Sequence, residues 1–463
     1  MNSYDLIVIG SGAAGVSAAT TAVHLGAHRV AIVERGPLWG TCVNNGCIPS
    51  KFLLSIADDH YYKNHGHMSL RMDSRFNLYV ALSEKDALIG QLKQKKTDRI
   101  TKFNIDIIEG SAEFLSPTVL QIGNRKVTAD RIIIATGSSP VIPPIAGITT
   151  VPFMTNIEAL NPERVPETLI VIGGRALGLE FAQLYTHLGT KVTLLQRSSR
   201  ILPEEEPEIA TLLAGYLREE GIDIRTDVKI QSVQKTPTGV AVTALIEGPE
   251  QVISAEQILL ATGRFPNTDR LRLDRAGVKT SQNGAILVDV TMRTSASNIW
   301  AAGDVTGEPM LETSARYAGE IAAMNAFLEL KRSFNRSFIP HGIYTTPRVA
   351  GVGLTEMQAR MAGLNPETRV IRMDSMARSF MMGDTRGMVK IVVKKSDGCV
   401  LGVHVCSPLA TEILQGSVFA VSQHLPVQDL ADMSQIFPTI GEAISICARA
   451  FRENATGTCP ESS

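Results

Sequence analysis

Only six cysteines occur in 463 residues, Cys42, Cys47, Cys399, Cys406, Cys447 and Cys459. That is too few for a disulfide-stapled secreted scaffold of this length. Charge of one sign is also missing: the formal net charge is -1 and no long run of like charge appears. Neither nucleic acid nor an acidic lipid surface is therefore the expected partner. Nor is there an uninterrupted apolar run long enough to span a membrane. The stretch from Leu6 to Ala27 is broken by Gly10, Gly12, Gly15 and His24, which predicts a buried strand, a glycine turn and a helix. The opening Met1-Asn2-Ser3-Tyr4-Asp5 has no basic n-region, so no secretory leader is expected and the cytoplasm is the default compartment. What remains, 44% hydrophobic with 20% charged residues, is globular and long enough for about three domains.

Two segments repeat the same pattern of apolar strand, glycine turn and helix: Asp5-Leu-Ile-Val-Ile-Gly-Ser-Gly-Ala-Ala-Gly15 and Thr168-Leu-Ile-Val-Ile-Gly-Gly-Arg-Ala-Leu-Gly178. Each is followed by an apolar strand ending Ala-Thr-Gly, at Gly137 and at Gly263. The repeat predicts two Rossmann-like nucleotide-binding domains. A further strand, Ile299-Trp-Ala-Ala-Gly-Asp304, predicts a return to the first of them. The basic, irregular stretch from Lys331 to Pro340 reads as a linker, and the segments Gly387–Val393 and Cys399–Val405 open a third, α+β domain. The expected division is 1–145 for the first nucleotide domain, 146–270 for the second, 271–338 for the return and 339–463 for the C-terminal domain.

In Gly10-x-Gly12-x-x-Gly15 the glycines allow a tight turn, let a pyrophosphate approach the backbone, and pack helix on strand. Glu34 ends the next strand nineteen residues after Gly15, where a carboxylate accepts from an adenosine ribose hydroxyl. The second turn, Gly173-Gly-Arg175-Ala-Leu-Gly178, has Arg175 in place of the middle glycine. Its following strand ends in Gln196 rather than an acid, with Arg197 and Arg200 close by. Guanidinium groups there suit a ribose 2′-phosphate, which points to NADPH, with NADH the alternative. Solvated surface arginines are the plain reading of the same residues.

The strongest chemical signal is Gly40-Thr-Cys42-Val-Asn-Asn-Gly-Cys47-Ile-Pro49-Ser-Lys51. Pro49 suits the first turn of a helix, so Cys47 lies near the positive helix end that stabilises a thiolate. The spacing matches neither a thioredoxin-like C-x-x-C nor paired zinc ligands. It reads as a redox disulfide.

Taken in order, these elements resemble the class I flavoprotein disulfide reductases, the family of glutathione reductase, dihydrolipoamide dehydrogenase and mercuric reductase. The resemblance covers essentially the whole chain and adds Ala261-Thr-Gly-Arg264-x-Pro-Asn267 and Ala302-Gly-Asp304. It implies an FAD domain, an NAD(P)H domain and a C-terminal dimerisation domain in a homodimer whose C-terminal domain completes the partner's active site. By the same resemblance Cys42 is the interchange thiol and Cys47 the thiolate beside the flavin. Lys51 and Glu180 match an ion pair near the flavin ring, and Asp304 matches the carboxylate at the FAD ribityl or phosphate region. The cofactor positions carried over are Gly10, Gly12, Ala13, Ala14, Gly15, Glu34, Arg35, Gly40, Thr41, Cys42, Lys51, Ala135, Thr136, Gly137, Gly173, Gly178, Glu180, Arg197, Arg200, Gly263, Arg264, Gly303 and Asp304.

The chain departs from the family at Phe437-Pro-Thr-Ile-Gly-Glu442, where organic-disulfide reductases carry His-Pro-Thr-x-x-Glu. Glu442 is kept, but phenylalanine cannot move a proton. Mercuric reductases also replace that histidine, usually by tyrosine, and a soft Hg(II) ion held by thiolates needs no proton on a leaving sulfur. The expected acceptor is therefore Hg(II) on Cys42 and Cys47, with Cys459 as a candidate delivery ligand. A dihydrolipoamide-dehydrogenase-like disulfide reductase and a non-catalytic flavoprotein are the alternatives. Cys399, Cys406 and Cys447 are expected in the core, and Met381-Met382 likewise as packing. His60, His65 and His67 are expected on a solvated loop.

Overall fold

The computed structural model describes residues 2–65, 76–307, 309–328 and 331–456. It is an α/β molecule in three parts. In the first, parallel strands Asp106–Glu109, Val30–Glu34, Asn2–Ile9 and Arg125–Ile134 lie side by side in that order. The last of these is shared along its length. Its start pairs with the antiparallel meander strand Val119–Ile122, and its end pairs in parallel with Ile299–Ala301, which returns after the second part. Leu6, Ile7 and Val8 are fully buried, because a parallel sheet is covered on both faces. The helices Ala13–His24 and Glu312–Phe327 cover one face, and a Cβ at Gly319 would meet the Ala14 carbonyl oxygen at 2.2 Å. Only glycine allows that approach.

The second part repeats the plan with parallel strands in the order Asp223–Arg225, Lys191–Leu195, Thr168–Ile172, Gln257–Leu260. A three-stranded antiparallel sheet of Lys229–Thr236, Gly239–Leu245 and Glu250–Ala255 packs beside it. The short pair Ser138–Pro140 with Arg264–Pro266 joins the two parts.

The third part is a five-stranded antiparallel sheet in the order His341–Ile343, Arg348–Gly353, Val400–Ser407, Met388–Lys394, Pro366–Arg372. Its central strands do not alternate: every residue from Met388 to Val393 is buried. The reason is two-sided cover. Helix Glu442–Thr456 packs with Val389, Ile391 and Val403 on one side. On the other, Met388 and Cys406 join the core that holds Leu213 and Leu217 of helix Pro207–Glu219.

Three details differ from the sequence reading. Cys406 and Cys447 are buried, but Cys399 is only half-buried, in the turn before its strand. Met381 is 66% exposed on helix Ala377–Met382 rather than packed. His60 and His65 lie on the long helix Cys47–His65, not on a loop, because the helix continues past the point where apolar periodicity fades. His67 and Cys459 fall outside the described residues. Among the described residues, no helix is long and apolar enough to cross a membrane.

Candidate active site

A cleft in the first part is lined by Gly10, Gly12, Glu34, Arg35, Gly40, Thr41, Ala135, Thr136 and Gly137, together with Ser138, Asn267, Asp269 and Arg270. The turn at its base is fixed by contacts that admit no side chain. A Cβ on Gly10 would stand 2.2 Å from the Ala135 carbonyl oxygen, and one on Gly15 would stand 1.9 Å from that of Gly10. Gly12 differs: a Cβ there would find nothing nearer than the Gly40 Cα, at 4.0 Å. That space, at the N-terminus of helix Ala13–His24, suits a pyrophosphate. Ala13 and Ala14 begin that helix. The Glu34 carboxylate accepts from Ser11 N at 2.9 Å, Ser11 Oγ at 2.7 Å and Gly36 N at 2.9 Å. A carboxylate has about four acceptor directions, so Glu34 both holds the turn and keeps capacity for a ribose hydroxyl. The cleft therefore fits the adenosine end of FAD.

Beside the cleft, Cys42 lies on the short helix Gly40–Asn45 and Cys47 opens helix Cys47–His65. Both are half-buried free thiols. The Cys47 thiol is pulled down to about 7, first by the hydrogen bond it accepts from Cys42 and then by the Lys51 charge, in spite of burial. The same hydrogen bond, followed by burial, drives the Cys42 thiol far up. The Cys42 hydrogen bond and the Lys51 charge thus favour the thiolate at Cys47.

Lys51, one helical turn past Cys47, pairs with Glu180 at 2.6 Å. Glu180 comes from helix Ala176–His187 of the second part, and its other oxygen accepts from Tyr344 N at 2.9 Å in the third. The Lys51 ammonium also stands 4.8 Å from the Tyr344 ring centroid. All three parts thus converge on one ion pair. On the far side, Asp304 accepts from Ser138 Oγ at 2.5 Å. Arg264 donates to Ser138 Oγ and Ser138 O, both at 2.7 Å. Gly303, with φ of 81°, makes the turn that presents Asp304. The sequence reading missed Ser138 and Tyr344. Ser138 directly follows Ala-Thr-Gly and carried a local signal, whereas Tyr344 arrives from the third part with none.

The second turn is built like the first. A Cβ on Gly173 would meet the Ala261 oxygen at 2.2 Å, and one on Gly178 the Gly173 oxygen at 1.8 Å, while Gly263 is open. Gln196 is buried and accepts from Gly174 N at 2.8 Å. Arg175 pairs with Glu204 at the surface. The two arginines part company here. Arg197 is exposed, whereas Arg200 donates to the carbonyls of Pro203 at 2.8 Å and Glu205 at 3.2 Å and shapes the loop. Glu442 starts the last helix and accepts from Thr439 N at 3.0 Å, and Phe437 beside it is 75% exposed.

The pyridine nucleotide-disulphide oxidoreductase family model matches residues 4–319, and its dimerisation domain matches residues 339–447. The chain belongs to the pyridine nucleotide-disulphide oxidoreductase family and carries that family's dimerisation domain. It is 37% identical to the mercuric reductase of Staphylococcus aureus over 456 residues, which cover 98% of this chain and 83% of the relative. It is 35% identical to the dihydrolipoyl dehydrogenase of Thermus scotoductus, over 98% of this chain and 99% of that one. Among solved structures, the Cu(II) complex of the HOCl-induced flavoprotein disulfide reductase RclA from Escherichia coli matches with a TM-score of 0.87. Its identity is 31%, over 97% of this chain and 100% of that one. The family uses FAD and a nicotinamide coenzyme.

Proposed function

We propose that the chain is an NADPH-dependent metal-ion reductase of this family, working as a cytoplasmic homodimer and passing electrons through FAD and the Cys42–Cys47 pair to Hg(II). The observation that carries the acceptor is Phe437, exposed on the dimerisation domain where the disulfide reductases carry a proton-transferring histidine. The mercuric reductase relatives support the same reading.

The residues present fit FAD: Gly10, Gly12 and Gly15 for the pyrophosphate, Glu34 for the adenosine ribose, and Asp304, held by Ser138, for the ribityl end. Bound FAD supplies the two-electron relay between coenzyme and sulfur. Lys51 holds a positive charge beside Cys47 and keeps it a thiolate. Arg197 takes the 2′-phosphate of NADPH. Cys42 and Cys47 bind Hg(II) as thiolates after the small-thiol ligands leave. The balance is NADPH plus Hg(II) giving NADP⁺, a proton and Hg(0), with no proton needed on a departing sulfur.

Anaerobic turnover tests the proposal. NADPH oxidation should depend on Hg(II) in excess small thiol and vanish in Cys42→Ser. Brisk turnover with lipoamide and none with Hg(II) overturns it in favour of a dihydrolipoamide-dehydrogenase-like enzyme. The RclA likeness makes Cu(II) the further acceptor to include in the same assay.

A further inference from the structure

Arg175 is the position at which the second nucleotide turn departs from the first. Elsewhere the two are close copies. Gly173 and Gly178 are locked against carbonyl oxygens as Gly10 and Gly15 are. Gln196 accepts from Gly174 N at 2.8 Å, as Glu34 accepts from Ser11 N at 2.9 Å. In each unit the loop after the next strand folds back onto the turn: Trp39 N donates to Ser11 Oγ and Leu202 N to Gly174 O, both at 2.9 Å.

By that repeat Arg175 stands where Gly12 stands. Each is the N-cap of its helix, with φ of -94° and ψ of -177° at Arg175 and φ of -69° and ψ of -172° at Gly12. Such a backbone is ordinary for any residue, so the arginine sits there without strain. What changes is the surface offered to a ligand. At Gly12 the backbone is bare and a pyrophosphate can come against it. At Arg175 a side chain occupies that approach, and close contact with the backbone must give way to contact with a guanidinium.

The guanidinium is aimed across the turn. Arg175 pairs with Glu204, and both side chains are half-exposed. Glu204 lies two residues beyond Leu202, on the loop that returns to the turn. In the first unit the residues in the corresponding place, Gly40 and Thr41, line the FAD cleft. The Arg175–Glu204 pair therefore spans the matching cleft of the second unit. The neighbours of Glu204 are committed elsewhere: Glu205 pairs with His341 at 2.5 Å and Glu206 with Lys390 at 2.9 Å, both in the third part. They fasten the loop, so Glu204 can release Arg175 while the loop stays in place. An ion pair this exposed adds little to stability, whereas arginine grips a phosphate group with two parallel hydrogen bonds.

We propose that Arg175 grips the pyrophosphate of the nicotinamide coenzyme and that Glu204 is its resting partner, displaced when the coenzyme binds. The guanidinium exchanges one anion for another, and no covalent bond changes. The proposal rests on the second turn being the nicotinamide site. It does not depend on the choice between NADPH and NADH or on the electron acceptor, because both coenzymes carry the pyrophosphate. Arg197 distinguishes the two coenzymes, and Arg175 serves both.

The test is calorimetric titration of the oxidised, FAD-loaded full-length protein with NADP⁺, NAD⁺ and ADP-ribose, each variant being shown to be folded by its FAD content and Tm. Arg175→Ala should weaken all three ligands by about tenfold, the loss of a charge-assisted contact. Glu204→Gln should tighten all three by about threefold, since the arginine no longer leaves a carboxylate to reach the phosphates. Arg175→Gly restores the pattern of the first turn and should weaken binding as Arg175→Ala does. Tighter binding by Arg175→Gly overturns the proposal, because the side chain then only obstructs the turn. Unchanged affinity in Arg175→Ala also overturns it, leaving a surface ion pair. Weakening confined to NADP⁺ overturns it too, by placing Arg175 at the 2′-phosphate. Native protein that binds none of the three removes the coenzyme site itself, and the proposal with it, a result distinct from every variant outcome.

Discussion

At Cys47 the structure sets a pH at which the chemistry should change. The Cys42 hydrogen bond and then the Lys51 charge bring this thiol to about 7, so the thiolate is present above that pH and lost as pH falls through it. In the two-electron-reduced enzyme, the long-wavelength band that a thiolate gives beside oxidised FAD should fade with a midpoint near 7. Cys47→Ser should abolish the band and keep the flavin. Lys51→Gln should move the midpoint up by about one unit, since an opposite charge is removed. A band independent of pH between 5 and 9 would rule out Cys47 as its source. Arg197 makes a separate case, because Arg200 is committed to loop carbonyls. Losing a charged hydrogen bond to phosphate costs roughly 1.5–3 kcal/mol. Arg197→Ala should therefore lower kcat/KM for NADPH by about one to two decades and leave NADH unchanged. Loss of both activities alike would place Arg197 outside the 2′-phosphate site.

The elements that carry the cofactors are two strand–turn–helix units whose glycines fall into two kinds. Gly15 is locked against the Gly10 carbonyl, whereas Gly12 has room for a methyl group within the protein. Gly15→Ala should therefore destabilise even the apoprotein, by about 1–3 kcal/mol, as overpacking does. Gly12→Ala should leave the Tm of the apoprotein alone and weaken FAD binding, because its methyl occupies the pyrophosphate's place. Thermal melts with and without FAD separate the two, and equal behaviour would remove the distinction. These units were legible in the sequence because the turn, the helix and the next strand's Glu34 lie within one short segment. The exposed Met381 and the helical His60 were not, since each depends on where the chain stops packing rather than on a motif. Tyr344 was hidden for the same reason: its place beside Glu180 is made by a contact over 164 residues of sequence. So was the full burial of Met388–Val393, which only the approach of helix Pro207–Glu219 explains.

On the scale of the molecule, the parts are joined by buried charge as well as by apolar cores. His187 is fully buried, 2.8 Å from Asp58 and 3.1 Å from Glu220, and Arg386 reaches Glu220 from the third part at 3.1 Å. Burial pulls the imidazole down, but the hydrogen bonds to Asp58 and Glu220 outweigh it and hold His187 above its ordinary value. Its contribution to stability is thus complete below the unfolded value near 6.5 and lost as pH rises through the folded one. Urea unfolding of the protein should show stability falling on that alkaline side. His187→Gln should cost about 1.5–3 kcal/mol at pH 6 and flatten the decline, and an unchanged slope would exclude His187 as its origin. On the proposed reading the acceptor is decided at the same scale: if the family's dimer holds here, with the C-terminal domain completing the partner's active site, Phe437 faces the cysteine pair across the interface. Ile436 and Phe437 are 81% and 75% exposed in the single chain, an apolar pair that a dimer would cover. An organic disulfide reduced there lacks the acid that protonates its leaving thiolate, a contribution of about 10²–10⁴ in rate. Lipoamide and glutathione disulfide should be turned over slowly, and Phe437→His should raise lipoamide turnover by up to that factor while Hg(II) reduction changes little. Stopped-flow reoxidation of the NADPH-reduced enzyme by each acceptor measures both arms. Rapid lipoamide reduction by the unaltered enzyme, indifferent to Phe437→His, would show that a proton reaches the sulfur by another route and that Phe437 does not select the metal ion.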